Sequence, residues 1–269
     1  MFGNFEEQQK ELEKKLKQIS FSETSSGDEI KISMNAGLEI ENISIDLIYG
    51  GPSLSKEDWI KNLQFAINTG VPHLSCYALT VEPKTALAHK INKQELPNVD
   101  AAHQAAHFTI LQEMSAAAGF EQYEISNFSL PGKRSIHNAN YWSGQFYVGI
   151  GPAAHSFNGL SRQWNISNNA LYIQSLTQGI VPFEIEELTI VQQTNEYIMT
   201  ALRTVEGIDA NRLNTIAGQD IFPAIVKDAA HYIMNGLLVQ LNQQLFLSPA
   251  GKFMADGIAA HLFREEEAN

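Results

Sequence analysis

The chain has 269 residues, 44% of them apolar, with 18 Lys and Arg against 30 Asp and Glu, a net charge of −12. That length and apolar share suit one large or two ordinary domains with a sizeable core. The acidic balance argues against nucleic acid or an anionic membrane as main partner. No run of about 18 apolar residues marks a membrane span, and Met1–Glu7 lacks the basic-then-apolar pattern of a signal peptide. The single cysteine, Cys76, excludes an internal disulfide, and a reducing cytoplasm is the expected setting.

Asn4 opens an expected helix with Glu7 as capping-box partner and Phe5, Leu12, Leu16 and Ile19 as its apolar stripe. Glu11–Lys15 and Glu13–Lys17 are i,i+4 pairs on a solvated face. Residues 21–28 are Ser-rich and read as a loop. Ile43–Tyr49 is an apolar strand carrying one acid, Asp46. Burying that acid without a donor is costly, so a partner is expected beside it. Ser55 caps a helix with Trp59, Leu63, Ala66 and Ile67 on one stripe, and Gly70 ends it. Leu74–Leu79 is the next strand, with Cys76 as a buried thiol. Asp100 caps a helix running through Ala118, with Gly119 at C′, and Glu121–Ser126 is a further strand. Strands alternating with helices predict an α/β fold with a parallel sheet, a barrel or partial barrel. Chemistry in such folds gathers at strand C-terminal ends, near Asp46, Thr80 and Asn127.

His103 and His107 stand four apart on one helix, which is metal-ligand spacing, but without the acid of an HExxH pattern they read as surface histidines. From Leu188 the pattern changes. Leu188–Val205, Asp209–Ala217 and Ile221–Met234 read as helices, and Leu237–Leu241 with Gln244–Leu247 as a two-stranded wing. Ser248 caps a last helix, with Pro249 at its first position. Three helices and a hairpin suggest a winged-helix-like domain. The segment between Ile221 and Met234 carries one basic residue, Lys227, so this domain reads as a structural or protein-contacting cap and not a DNA reader.

The densest chemistry lies in His137-Asn138-Ala139-Asn140-Tyr141-Trp142. Six residues bring together an imidazole, two carboxamides, a phenol and an indole. On the residues alone this fits two readings: a packed core corner, or a site for a flat apolar ligand with polar edges. The Gly149-Ile150-Gly151 turn that follows lets the backbone pass close to a ligand or strand.

The run His-Asn-x-x-Tyr-Trp, followed by Val148-Gly-Ile-Gly-Pro-Ala-Ala-His-Ser-Phe157, resembles the HemW branch of the radical-SAM coproporphyrinogen oxidase family. Asn42–Pro52, His73–Pro83 and Ala118–Phe128 resemble three successive barrel strands of that family, in family order. The resemblance implies a partial parallel radical-SAM-type barrel followed by the winged-helix-like domain. It divides the chain into a remnant of the first barrel half at 1–38, the second half at 39–187 and the C-terminal domain at 188–269. It implies a haem-binding chaperone, with haem or another tetrapyrrole held by His137, Asn138, Asn140, Tyr141 and Trp142. His137 would be the axial ligand or its hydrogen-bonding neighbour, the rings would wall the macrocycle and the asparagines would fix the loop. A haem-accepting protein would be the partner. The alternatives are an oxygen-independent coproporphyrinogen III oxidase and a degenerate, non-catalytic family member.

The family also implies a 4Fe–4S cluster and S-adenosylmethionine, the latter contacted by Asp46, Thr80 and His155. Two departures bear on this. Gly51 stands where the family usually has Leu, and Ser33 where it usually has a Glu that contacts the cofactor. The family's Cys-x3-Cys-x2-Cys is absent, and no other side chain is soft enough to replace three thiolates. The segment Glu29–Gly37 resembles a third barrel strand, yet Glu39–Asp46 already resembles the sixth. Two parallel strands need a crossover of about a dozen residues, so the sequence is expected to join non-adjacent parts of a longer protein.

Overall fold

A computed structural model of the chain describes residues 29–34 and 40–266. The helix expected from Asn4 and the loop at 21–28 lie outside the described residues. Contacts divide the chain into two units, Met1–Ser135 and Ile136–Asn269, a boundary inside the 39–187 segment. Among the described residues no helix is long and apolar enough to cross a membrane.

The first unit is a five-stranded sheet with helices against one face. Strands β1 (Glu29–Met34), β2 (Ile40–Tyr49), β3 (His73–Ala78), β4 (Glu121–Glu124) and β5 (Asn127–Ser129) lie in the order β1-β2-β3-β5-β4. The sheet is mixed, which corrects the expected parallel sheet. Among the described residues only β2 and β3 are parallel neighbours, and the other three pairings are antiparallel. The reason lies in the connections. Five residues separate β1 from β2 and two separate β4 from β5, far too few for a parallel crossover. The expected single strand Glu121–Ser126 is thus a short strand that turns back at Ile125–Ser126. Helix α1 (Lys56–Asn68) makes the crossover from β2 to β3.

The helices form as their caps dictate. Ser55 accepts from the Asp58 N–H, and α1 turns Trp59, Leu63 and Ala66 inward at helical spacing. After the short helix α2 (Ala86–Asn92), Asp100 accepts from the Ala102 N–H to start α3 (Ala101–Ala117). Phe108 and Leu111 of α3 meet Ile45, Leu47, Leu74, Cys76 and Phe128 from one sheet face in a closed apolar core. Burying each large side chain there contributes about 1.5–3 kcal/mol before entropy is counted.

The opposite sheet face is polar and largely buried, with Glu121 exposed at its edge and Ser44 half-buried. Pairing aligns Ser44, His73, Ser129 and Glu121 in one cross-strand row, and Asp46, Ser75, Asn127 and Glu124 in the next. His73 is closed on both sides: Nδ1 lies 2.7 Å from Ser44 Oγ and Nε2 lies 2.7 Å from the Tyr123 hydroxyl. Ser75 donates to Asn127 Oδ1 at 3.1 Å, and Asn127 donates to the Glu124 carboxylate.

The second unit begins with helix α4 (Ile136–Trp142). An antiparallel sheet follows: β6 (His155–Phe157), β7 (Ser161–Asn165) and β8 (Phe183–Glu187), with helix α5 (Asn169–Thr177) before β8. Helix α6 (Ile190–Arg203) is opened by a full capping box between Thr189 and Gln192. Then come β9 (Ile208–Asp209), α7 (Ala210–Ala217), α8 (Phe222–Asp228), α9 (Ala230–Met234), and the hairpin β10 (Leu238–Leu241) with β11 (Gln244–Leu247). β11 pairs with β9 as well as β10. The expected helix Ile221–Met234 is broken into α8 and α9 at Ala229. The last helix, α10 (Ala255–His261), begins later than expected. Ser248 caps a tight turn ending at Gly251, and a 3₁₀ turn over Lys252–Met254 intervenes. Ile198, Leu202, Ile208, Leu213, Ile225, Leu238, Leu245 and Ile258 are buried in the unit's core.

Candidate functional site

The His-Asn-x-x-Tyr-Trp run is a helix, not a loop, which corrects the loop-fixing role expected of Asn138 and Asn140. Helical spacing puts His137 and Tyr141 on one face, with ring centroids 6.1 Å apart, and brings Asn138 and Trp142 together on another. Past Trp142, Ser143 donates its N–H to Ala139 O and Gln145 to Asn140 O, and Gly144 takes the left-handed conformation at φ 67°. His137 is exposed, so its imidazole is accessible to a metal-bearing ligand.

Tyr141 and Trp142 project into a cavity of about 440 Å³ lined wholly by residues of the second unit. Its aromatic wall is layered. Tyr141 stacks on Tyr147 at 5.1 Å, and Tyr147 meets Phe157 at 6.2 Å while their backbones exchange hydrogen bonds of 3.0 and 2.9 Å. Trp142 carries the Arg203 guanidinium 4.7 Å from its ring centroid, and Arg203 is anchored to Asp256 at 2.9 Å. Met199 and Ile216 add apolar lining from α6 and α7.

Two arginines and one acid supply the cavity's charge. Arg162 on β7 pairs with Glu196 on α6 at 2.8 Å. Burial pushes the Glu196 carboxyl up from its ordinary range, against the opposing pull of Arg162. Arg212 on α7 donates to Ser143 O at 2.7 Å and lies over the Tyr197 ring at 4.7 Å. Tyr197 is itself fixed, its hydroxyl accepting the Asp209 N–H at 2.9 Å. Burial raises the Tyr147 phenol, and Tyr141 beside it raises it further, so Tyr147 stays protonated as a donor at neutral pH. Rings to stack on, guanidinium donors and a nearby imidazole form a set suited to a flat amphiphilic ligand with acidic edges.

The remaining candidates fall elsewhere. Asp46 is buried in β2 of the first unit, beside Ser75 across the parallel pairing. Thr80 lies in the same unit, exposed, just past the C-terminal end of β3. His155 opens β6 in the second unit, exposed, with its ring 6.2 Å from Trp164. Asn127 opens a strand instead of closing one, and sits buried in the polar rows. The Gly149 turn does make a close approach. A Cβ there would lie 2.1 Å from His155 O, so glycine lets the turn pack on β6.

His103 and His107 are not surface residues. His107 is fully buried, 4.1 Å ring to ring from His103, and its Nδ1 accepts the Gly50 N–H at 3.2 Å. His103 meets Leu54 O at 2.9 Å through Nε2. Both tie α3 to the loop after β2, so their spacing serves packing. Among the described residues no group of three or more His, Cys, Asp or Glu side chains is placed to hold a metal ion.

Sequence reasoning missed Arg162, Glu196 and Arg212. Each sits on a different element, and only the fold brings them to one cavity. Tyr197 falls inside the expected helix Leu188–Val205, where nothing local sets it apart from its apolar neighbours.

Residues 191–254 match the family model described as the HemN C-terminal domain. The chain is 32% identical over 222 residues to a protein of Mycobacterium tuberculosis named heme chaperone HemW, covering 82% of this chain and 55% of that one. It is 32% identical over 226 residues to the Bacillus subtilis protein of the same name, covering 81% and 58%. The chain thus spans little more than half the length of these relatives. Its fold is similar to that of Escherichia coli coproporphyrinogen III oxidase (HemN), a radical SAM enzyme, with TM-score 0.64 and 19% identity over 82% of this chain and 54% of the other. The chain belongs to the HemN/HemW family, as a HemW-like member that covers the C-terminal part of its relatives.

Proposed function

We propose that this chain is the haem-holding part of a haem chaperone, and that the second unit takes the haem at the His137 motif and the adjoining cavity. The observation that carries this is the placement of Tyr141 and Trp142. The motif's two rings line one cavity together with Tyr147, Phe157 and two arginines. His137 is proposed as the axial ligand or its hydrogen-bonding neighbour. Asn138 and Asn140 are proposed to position the motif on α4. Support also comes from the names of the relatives, which are haem chaperones. A haem-accepting protein and a cytoplasmic setting go with this reading.

The finer architecture is part of the same proposal. The order of α6 to β11, a run of helices closed by a hairpin, supports reading residues 188–269 as a winged-helix-like cap. The three codirectional strands β2, β3 and β4 support reading residues 39–187 as part of a radical-SAM-type barrel, with residues 1–38 as the remnant of its first half. Asp46, Thr80 and His155 are proposed contacts of S-adenosylmethionine, and the buried polar face around Asp46 is chemically suited to such a ligand. A 4Fe–4S cluster does not fit this chain. Its one cysteine, Cys76, is buried in the apolar core, and three thiolates are needed.

Soret-band titration with haem tests the reading. Wild-type protein is expected to bind haem with a defined Soret band, and His137→Ala to weaken it and shift its position. An unchanged spectrum and affinity in His137→Ala would remove the motif from the haem site.

A further inference from the structure

Resting on the haem reading of the cavity, we propose that Arg212 is the carboxylate anchor of the site and selects ligands with free acid groups. The two arginines that line the cavity differ in what they already hold. Arg162 is already neutralised, its Nη2 held 2.8 Å from Glu196. An incoming carboxylate would have to displace that acid. Among the described residues no carboxylate forms an ion pair with Arg212. Its guanidinium makes one hydrogen bond, from Nη2 to Ser143 O at 2.7 Å, and its plane rests 4.7 Å from the Tyr197 centroid.

Those two contacts fix the group without exhausting it. A guanidinium has five N–H donors, and among the described residues one of them is used. The acceptor Ser143 directly follows Trp142, so Arg212 is tied to the end of the helix that carries the motif. Tyr197 is held by the Asp209 N–H, and Asp209 in turn caps α7 through the Arg212 N–H at 2.9 Å. A pre-positioned fork loses little freedom when it takes a bidentate carboxylate. An apolar ring against Tyr141, Tyr147 and Phe157 with an acid arm on Arg212 satisfies both halves of the cavity.

The test compares haem with haem dimethyl ester, in which both carboxylates are masked, by Soret titration of wild type, Arg212→Gln and Arg212→Lys. Wild type is expected to prefer haem over the diester by about tenfold. Arg212→Gln should erase that preference by weakening haem while leaving diester affinity unchanged, and Arg212→Lys should keep part of it. A preference as large in Arg212→Gln as in wild type, with haem still bound, would overturn Arg212 as anchor and leave the haem reading standing. No haem binding by wild type would overturn both.

Discussion

The two units bury polar groups in opposite ways. In the first, His73 is enclosed between Ser44 and Tyr123, and Ser75, Asn127 and Glu124 satisfy one another along the next row. In the second, the cavity presents Arg212 with most of its donors unspent and His137 open to solvent. Both regions are polar and aromatic, and sequence alone marks both as candidate sites. Spent hydrogen-bonding capacity marks the groups around His73 as holding the fold, and unspent capacity beside an open volume is what supports the second unit as the proposed haem site.

Four experiments press on that contrast. The largest effect is expected from His73→Ala, which leaves Ser44 and Tyr123 facing a void. We expect a loss of about 3 kcal/mol in denaturant unfolding, with haem affinity unchanged. A drop in haem affinity with intact stability would mean that the first unit's polar face takes part in binding. Next, His137→Ala is expected to weaken haem by about thirtyfold, or roughly 2 kcal/mol, with the unfolding curve unmoved. A matching loss of stability would make this histidine structural like His73.

A pH series follows. Burial, with smaller contributions from His103 and Lys56, lowers His107 to about 4 from an ordinary 6.5. The unfolded imidazole takes a proton at pH 6.5, while the folded one resists until about 4. Its contribution to stability is therefore full above 6.5 and lost as pH falls through that window, on the order of 2 kcal/mol. His107→Gln, which keeps an acceptor for Gly50, should flatten the curve between pH 6.5 and 4. An equally steep curve in the variant would assign the dependence to other groups. The smallest effect is expected from Thr189→Ala, which removes the capping box of α6 and should cost about 1 kcal/mol. Haem affinity should survive it, since the core and not the cap positions Glu196 and Tyr197.

Much of the fold was legible because local rules act over a few residues. Ser55, Asp100, Asp209 and Gly119 mark helix ends where expected, and the stripe of Trp59, Leu63 and Ala66 faces the core. Strand direction was not legible in the apolar runs themselves, which carry no sign of which neighbour they pair with. Chain length between strands did carry it: the short links before β2 and after β4 exclude parallel neighbours. The site was half legible. Tyr141 and Trp142 are contiguous and conspicuous, whereas Arg162, Glu196 and Arg212 meet only through tertiary structure. The His103–His107 pair shows the converse, a ligand-like spacing that the fold uses to tie α3 to the Gly50 loop.

The most direct test of the contrast between the units is amide hydrogen exchange with and without haem. Haem is expected to slow exchange in α4, α6 and α7 and in the β6–β7 strands, while β2, β3 and β5 are unchanged. Protection confined to the first unit, with α4 and α7 exchanging as before, would contradict it.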